Sequence, residues 1–286
     1  MVYDVKPGRG THSLQETASA DVVFVCLPTP ALADGRCDTH LIDEFLHTAF
    51  SEEWWRKDSC YVLRSTLPIG YTERKFAEYL RGRPLLHSPE FLTARASFTD
   101  VQLPARNIIG SPVGPEHSND LEAARRKLYT LYQRRFSGVP ILCMPSNASE
   151  LVKLANNTFF LAKISVFNLF AEIAKAAGVS WEEVRDGILT DGRIAHAHTV
   201  VAPGGVPGGG GACIVKDSAD LFHCAIERGV DAELLRSILE RNERIRRPYD
   251  PDLAKIELPG VGSGSDSRPH NETDDPKCNL PAGHDY

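Results

Sequence analysis

The chain has 286 residues, 42% hydrophobic and 24% charged, the balance of a globular protein with apolar mass for one large core or two ordinary ones. Its formal net charge of −6 and lack of a basic stripe argue against a nucleic-acid partner, while an anionic small ligand, which needs only local positive groups, stays open. No stretch reaches the roughly 18–20 unbroken apolar residues of a membrane span, residues 1–10 carry no apolar signal core, and seven cysteines without paired spacing suggest neither a disulfide framework nor a metal site; the expectation is a cytoplasmic protein with no membrane partner and no metal.

In chain order, residues 2–5 read as a short strand. Residues 21–27, Asp-Val-Val-Phe-Val-Cys-Leu, form the continuous apolar run of a buried parallel strand. Residues 60–66 and 107–109 are further strand candidates. Helical patterns near 41–50, 72–80 and 120–132 lie between them, and strands alternating with helices imply a parallel α/β sheet over residues 1–145. The character changes after Pro145. Residues 146–177 contain no Gly or Pro, begin with N-cap candidates followed by Glu150 in the first turn, and meet a natural stop at Gly178. One helix of that length spans roughly 45–50 Å. It is apolar around much of its circumference, so it should be buried, against a second subunit if not within its own. A helix from Trp181, a glycine-rich loop at 204–211, and helices near 214–228 and 231–246 complete an all-helical unit over 146–247. Residues 248–286, rich in Pro, Gly, Ser and Asp, read as a disordered tail.

The most informative segment is Gly208-Gly-Gly-Gly-Ala-Cys213-Ile-Val-Lys216-Asp217. Glycines let backbone amides approach a ligand, and a cysteine where a helix begins, with a lysine near, has its thiolate favoured. Cys213 is therefore a better nucleophile candidate than Cys26 or Cys60 in apolar strands, although most free cysteines are inert core residues. Lys153 and Asn157, four apart, share one face of the long helix; a ligand contact and a snorkelling lysine are both open. Asn168 further along reads as a buried amide. Asp4, ending the first strand, is a ribose-binding carboxylate or a turn aspartate. Pro28, Thr29 and Pro30, and Ser65 and Thr66, each follow a strand, where parallel sheets bind ligands. Glu90 is an acid–base group or a loop charge. His196 and His198, two apart with no further ligands, do not make a metal site.

Six stretches in order resemble the UDP-glucose/GDP-mannose dehydrogenase family: residues 21–30, Ser65-Thr-Leu-Pro-Ile-Gly70, Pro89-Glu-Phe-Leu92, Glu150-Leu-Val-Lys-Leu-Ala-Asn-Asn157, Asp191-Gly-Arg-Ile194 and Gly210-Gly-Ala-Cys-Ile-Val-Lys-Asp217. The resemblance covers about residues 2–247. It implies an α/β chain: an incomplete Rossmann-like parallel sheet domain, then an all-helical central dimerisation domain with one long helix. It also implies oxidation of the C6 alcohol of a nucleotide sugar by NAD through a thiohemiacetal and thioester on Cys213. Lys153, Asn157 and Asp217 match positions that stabilise the oxyanion and move protons, and Glu90 and Thr66 those that aid the water. Asp4, Pro28, Thr29, Pro30, Ser65, Thr66 and Lys216 match the NAD side. Glu90, Lys153, Asn157, Arg193, Gly204, Gly205, Gly208, Gly209 and Gly210 match the substrate side, with Arg193 reaching across a homodimer.

The family opens with a strand and a Gly-x-Gly-x-x-Gly turn that cradles pyrophosphate; this chain begins at what corresponds to the second strand, so a truncated or degenerate member is expected, with two strand edges exposed. Ala94 stands where the family has an acidic residue, Ile214-Val215 where it has Phe-Pro, and the nucleotide-clamping third domain of longer relatives has no counterpart. Two other readings stay in play: an inactive dimerisation module built on the long helix, and a 6-phosphogluconate-type hydroxyacid dehydrogenase, which needs no cysteine nucleophile.

Overall fold

A computed structural model describes residues 1–56, 58–79, 83–93, 96–113, 119–211 and 213–249. Ala94 and all but Pro248 and Tyr249 of the expected tail lie outside these residues. Nine helices and five strands run in the order α1 (Leu14–Thr17), β1 (Val22–Val25), α2 (His40–Ser51), β2 (Cys60–Leu63), α3 (Tyr71–Glu78), β3 (Leu85–His87), α4 (Ser97–Gln102), β4 (Asn107–Ser111), α5 (Asn119–Arg135), β5 (Ile141–Pro145), α6 (Ser146–Ala177), α7 (Trp181–Leu189), α8 (Ile214–Glu227) and α9 (Glu233–Arg246) among the described residues.

The strands form one sheet in the order β1-β2-β3-β4-β5, parallel except where β4 runs antiparallel to β3 at His87↔Gly110. The sheet is thus mixed, not wholly parallel. β2 is buried throughout, as its unbroken apolar run requires. One face packs Ile42, Leu46, Trp55, Tyr61, Leu63 and Leu67 together; the other packs Cys60, Val62, Leu86 and Ile109 against Leu121 and Leu128 of α5.

The expected strand at residues 2–5 is not formed. A strand draws its hydrogen bonds from a neighbour, and here the Val2 carbonyl instead accepts the Thr11 and His12 amides at 2.9 and 3.0 Å. β1 is therefore an edge strand, with half-exposed Phe24 at its outer end. Cys26 lies just past β1 and is exposed, not embedded in the strand.

The long helix α6 has the expected bounds, and Gly178 closes it with φ 70°. Its start is built differently. Pro145 is the N-cap and makes no side-chain cap bond. Glu150 turns away to accept from the Gly70 amide (2.5 Å), the Thr72 amide (2.8 Å) and the Thr72 hydroxyl (2.6 Å). It therefore caps α3, not its own helix. Gly110 in β4 exists because α6 passes close: a Cβ there would stand 2.1 Å from Ser149 Oγ. The inner face of α6 packs on α8 and α9 around Leu161, Ala219, Phe222 and Leu239. Its outer face leaves Leu151, Phe159, Val166, Phe170 and Ile173 exposed, so within one chain the helix is only half covered.

Candidate active site

The turns that leave β1 and β2 lie side by side and are stitched together. Ser65 Oγ donates to the Leu27 carbonyl at 2.5 Å, and Thr29 Oγ1 to the Thr66 carbonyl at 3.0 Å. Pro28, Thr29, Pro30, Ser65 and Thr66 thus share one ledge at the carboxyl ends of two parallel strands, where such sheets hold ligands. His87, buried in β3, supports the ledge from below. Its Nε2 faces the Ser65 carbonyl at 3.3 Å and its Nδ1 the Ser149 hydroxyl at 2.6 Å. Burial drives its pKa down to about 3, so the ring is neutral. Asp4 does not join them. It is exposed, and its carboxylate accepts the Lys6 amide at 2.8 Å, the bond of a turn aspartate.

Glu90 follows β3 and lines a cavity of about 680 Å³ together with Phe91, Arg106, Asn156, Phe160 and His198. Arg106 and Lys153 lie 4.2 and 5.6 Å from the centre of the Phe91 ring.

The second half of the site is the crossing of α6 and α8. Lys153 and Asn157 are buried on one face of α6. Asn157 Nδ2 donates to Asp217 Oδ2 at 2.6 Å, a buried bond between residues sixty positions apart. The Lys153 ammonium has no hydrogen-bond or ion-pair partner among the described residues; the Phe91 ring is its neighbour. The side chain is largely buried, and its ammonium is left free to meet a ligand. The Asp217 amide donates to the Cys213 carbonyl at 2.8 Å, closing the first turn of α8. Cys213 is the N-cap of that helix, exposed, its thiol making no cap bond.

Lys216 does not serve Cys213 as the sequence suggested. Position 216 lies on the buried, inner side of α8. There its ammonium donates to Cys37 Sγ at 3.0 Å and stands 2.7 Å from Asp217 Oδ1. Burial opposes its charge, yet Asp217 and Cys37 together hold its pKa above the ordinary value. Burial pushes the Cys37 thiol up to about 12. Cys37 belongs to a loop that docks on α8: its amide donates to Asp220 Oδ1 at 2.8 Å, and His223 Nε2 meets the Asp34 carbonyl at 2.7 Å. None of Cys37, Asp220 or His223 stands out in the sequence, because their partners lie about 180 residues away and no local pattern marks them.

The glycine loop is shaped by its own protein. A Cβ on Gly209 would stand 2.5 Å from Leu161 Cδ1, and one on Gly210 would stand 2.1 Å from Arg246 Cζ. The Gly209 amide donates to Asn242 Oδ1 at 2.6 Å and its carbonyl accepts Asn242 Nδ2 at 3.0 Å. Gly204 and Gly205 are exposed, with φ 71° and 83°. Arg193 is exposed and pairs with Asp191 at 2.6 Å; the structure brings it to none of the other candidates. Asn168 is buried and its amide returns to the Ile164 carbonyl of its own helix. No group of three or more metal-ligating side chains occurs among the described residues.

Two family models match. The NAD binding domain of the UDP-glucose/GDP-mannose dehydrogenase family matches residues 8–133, and its central domain matches residues 147–244. The chain belongs to the UDP-glucose/GDP-mannose dehydrogenase family. UDP-glucose 6-dehydrogenase of Pseudomonas aeruginosa is 32% identical over 246 residues, 82% of this chain and 51% of that protein. The solved UDP-glucose dehydrogenase of Pyrobaculum islandicum superposes with a TM-score of 0.68 at 27% identity, over 81% of this chain and 52% of that one. A UDP-D-ManNAc dehydrogenase of Pyrococcus horikoshii gives 0.69 at 25%, over 85% and 55%. The chain spans about half the length of the curated relatives it matches.

The cofactor of this family's first domain is NAD. The ledge of Pro28 to Pro30, Ser65 and Thr66 lies where parallel sheets hold ligands. No Gly-x-Gly-x-x-Gly run occurs in the sequence, and the N-terminus of α3, which follows the β2 turn, is already filled by the Glu150 carboxylate.

Proposed function

We propose that this chain oxidises the C6 alcohol of a nucleotide sugar, UDP-glucose foremost, to the carboxylate, with NAD as oxidant and Cys213 as the covalent nucleophile. The observation that carries the reading is the α6–α8 crossing: the largely buried side chain of Lys153, whose ammonium has no polar partner among the described residues, one turn from the Asn157–Asp217 hydrogen bond, itself one turn from Cys213. NAD, when bound, supplies the two-electron acceptor for each of the two oxidations that separate an alcohol from an acid. The ledge of Pro28, Thr29, Pro30, Ser65 and Thr66 holds its nicotinamide end. Lys216 acts on that side through its grip on the Cys37 loop.

The chain's own residues do the rest. Lys153 and Asn157 donate to the sugar oxygen as it gains negative charge. Asp217 orients Asn157 and takes up or returns the proton. The Cys213 sulfur adds to C6 of the aldehyde, forming a C–S bond while O6 gains a proton; this is the thiohemiacetal. Its oxidation leaves a thioester, and water positioned by Glu90 and Thr66 adds to C6, breaking the C–S bond and restoring the thiol. The exposed glycines of the loop and the cavity beside Phe91 receive the nucleotide. Arg193, exposed and detached from its own chain's site, is assigned to the site of a second subunit in a cytoplasmic homodimer formed along the bare face of α6. No described helix is long and apolar enough to cross a membrane.

Incubation with NAD and UDP-glucose should yield UDP-glucuronate, identified by mass, together with NADH. GDP-mannose and UDP-N-acetylmannosamine in parallel decide the sugar. A second reading, an inactive dimerisation module, is favoured by the lack of a pyrophosphate cradle among the described residues. Stable dimers that bind neither NAD nor any of the three sugars would establish it and end the first.

A further inference from the structure

The glycine run at 208–210 has no side chains with which to hold itself, and glycine loses more conformational freedom on ordering than any other residue. Something else must fix it. The side chain of Asn242, two turns into α9 and 1% exposed, hydrogen-bonds to it. Its amide group spans Gly209 like a second strand would, accepting from the nitrogen at 2.6 Å and donating to the carbonyl at 3.0 Å. Both amide atoms are thereby used, and the O/N orientation is fixed by the pairing: the reverse orientation would set donor against donor and acceptor against acceptor.

Two consequences follow from that pairing. First, the Gly209 amide is spent inside the protein and cannot bind a ligand. Second, Asn242 presses the loop onto α9 and α6. A Cβ at Gly208 would stand 3.0 Å from Asn242 Oδ1 and 3.2 Å from Ile245 Cγ1, and Leu161 of α6 closes on Gly209. Leu161 lies one turn beyond Asn157. The loop, the Asn157–Asp217 pair and Cys213, three residues past Gly210, are therefore held in one frame, and the hydrogen bonds of that frame on the loop side come from Asn242.

We propose that Asn242 is a positioning residue of the nucleotide-sugar site: it touches no substrate but holds the 208–210 backbone in the shape the substrate meets. This rests on the function proposed above. Asparagine is required because only a neutral amide both accepts and donates along one edge. Aspartate keeps the acceptor for the Gly209 amide and loses the donor to its carbonyl; alanine loses both.

The test compares Asn242→Ala, Asn242→Asp and, as a packing control, Leu239→Ala in the same helix, in the full chain. Leu239 is a buried core residue of α9 whose aliphatic side chain can make no hydrogen bond to the loop. Amide exchange over residues 206–211 and the dissociation constant for UDP-glucose are read for each. Asn242→Ala should speed loop exchange and weaken UDP-glucose by about tenfold or more, as expected for two buried hydrogen bonds lost. Asn242→Asp should fall between it and wild type. Leu239→Ala should lower Tm and leave both readouts near wild type. If Asn242→Ala lowers Tm but leaves exchange and affinity unchanged, or if Leu239→Ala weakens UDP-glucose as much, Asn242 is only part of the packing and the proposal is wrong. A wild-type chain that fails to bind any nucleotide sugar overturns the substrate role and the function together, while unchanged loop exchange in Asn242→Ala, with wild-type binding intact, overturns the positioning role alone.

Discussion

Burial between the Ser149 hydroxyl and the Ser65 carbonyl holds His87 neutral, with its pKa pushed from the ordinary 6.5 down to about 3. Between those values the unfolded chain binds a proton that the folded chain refuses, so stability rises with pH across that window and is lost on acidification from about 6.5 toward about 3. His198, lowered by burial and by Lys163, adds to the loss with the same sign. Urea midpoints measured at pH 7, 5.5 and 4.5 should therefore decline in step, and His87→Gln should flatten the decline while lowering the midpoint at pH 7. An undiminished decline in that variant would show that other groups control the acid limb. Lys153 and Lys216 differ in their partners: the Lys153 ammonium has no polar partner among the described residues, and that of Lys216 is doubly held, by Asp217 and Cys37. Lys153→Ala should thus cost catalysis, roughly a hundredfold or more in kcat by analogy with a lost oxyanion donor, with little loss of Tm. Lys216→Ala strands a buried Asp217 and should lower Tm as well.

At the scale of elements, α6 organises both halves of the site. Its first turns supply Ser149 to His87 and Glu150 to the N-terminus of α3; its middle supplies Lys153 and Asn157. Burial raises the Glu150 pKa against the pull of the Thr72 and Gly70 hydrogen bonds, yet the group caps three donors at once. Glu150→Ala should cost about 3 kcal/mol by leaving buried donors unmet and a helix uncapped, and Glu150→Gln distinctly less, both read by urea unfolding. A neutral result in Glu150→Ala would mean water replaces the carboxylate. The bounds of α6 and α8 were legible from residue pattern alone, because long unbroken runs and a terminal glycine leave few alternatives, whereas β2 starts at Cys60 as expected but ends at Leu63, three residues early. The partners of Glu150 were not, since they are supplied by a turn eighty residues upstream. Short strands fared worse for the same reason. Leu85–His87 and Ile141–Pro145 carry no periodicity of their own and are strands only because neighbours pair with them. Residues 2–5 have the composition of a strand and no neighbour, and form none. Lys153 and Asn157 on one helix face, and Ser65 and Thr66 in one turn, are neighbours by local spacing, while Cys37, Asp220 and Asn242, whose contacts are tertiary alone, carry no such mark. Lys216 stands three residues from Cys213 in the sequence, yet its ammonium is held by Cys37 and Asp217.

For the whole molecule, the bare apolar stripe on α6 is the largest open question the packing poses. Phe159 and Ile173, 65% and 55% exposed, lie on one face with Leu151, Val166 and Phe170. A homodimer along this face should appear in sedimentation at micromolar concentration, and Phe159→Glu should weaken it by about tenfold or more, because it sets a charge in the centre of an apolar contact; an unchanged sedimentation coefficient would place the interface elsewhere. Cofactor binding is the other question at this scale, since no Gly-x-Gly-x-x-Gly run occurs in the sequence and Glu150 fills the N-terminus of α3. Both bear on one claim, that the sulfur at the start of α8 carries the sugar between two oxidations. The number of NADH formed per UDP-glucose, in wild type and in Cys213→Ser, measures it most directly. Wild type should give two, and the serine variant no carboxylate product. Two NADH and full UDP-glucuronate yield from Cys213→Ser would contradict the account.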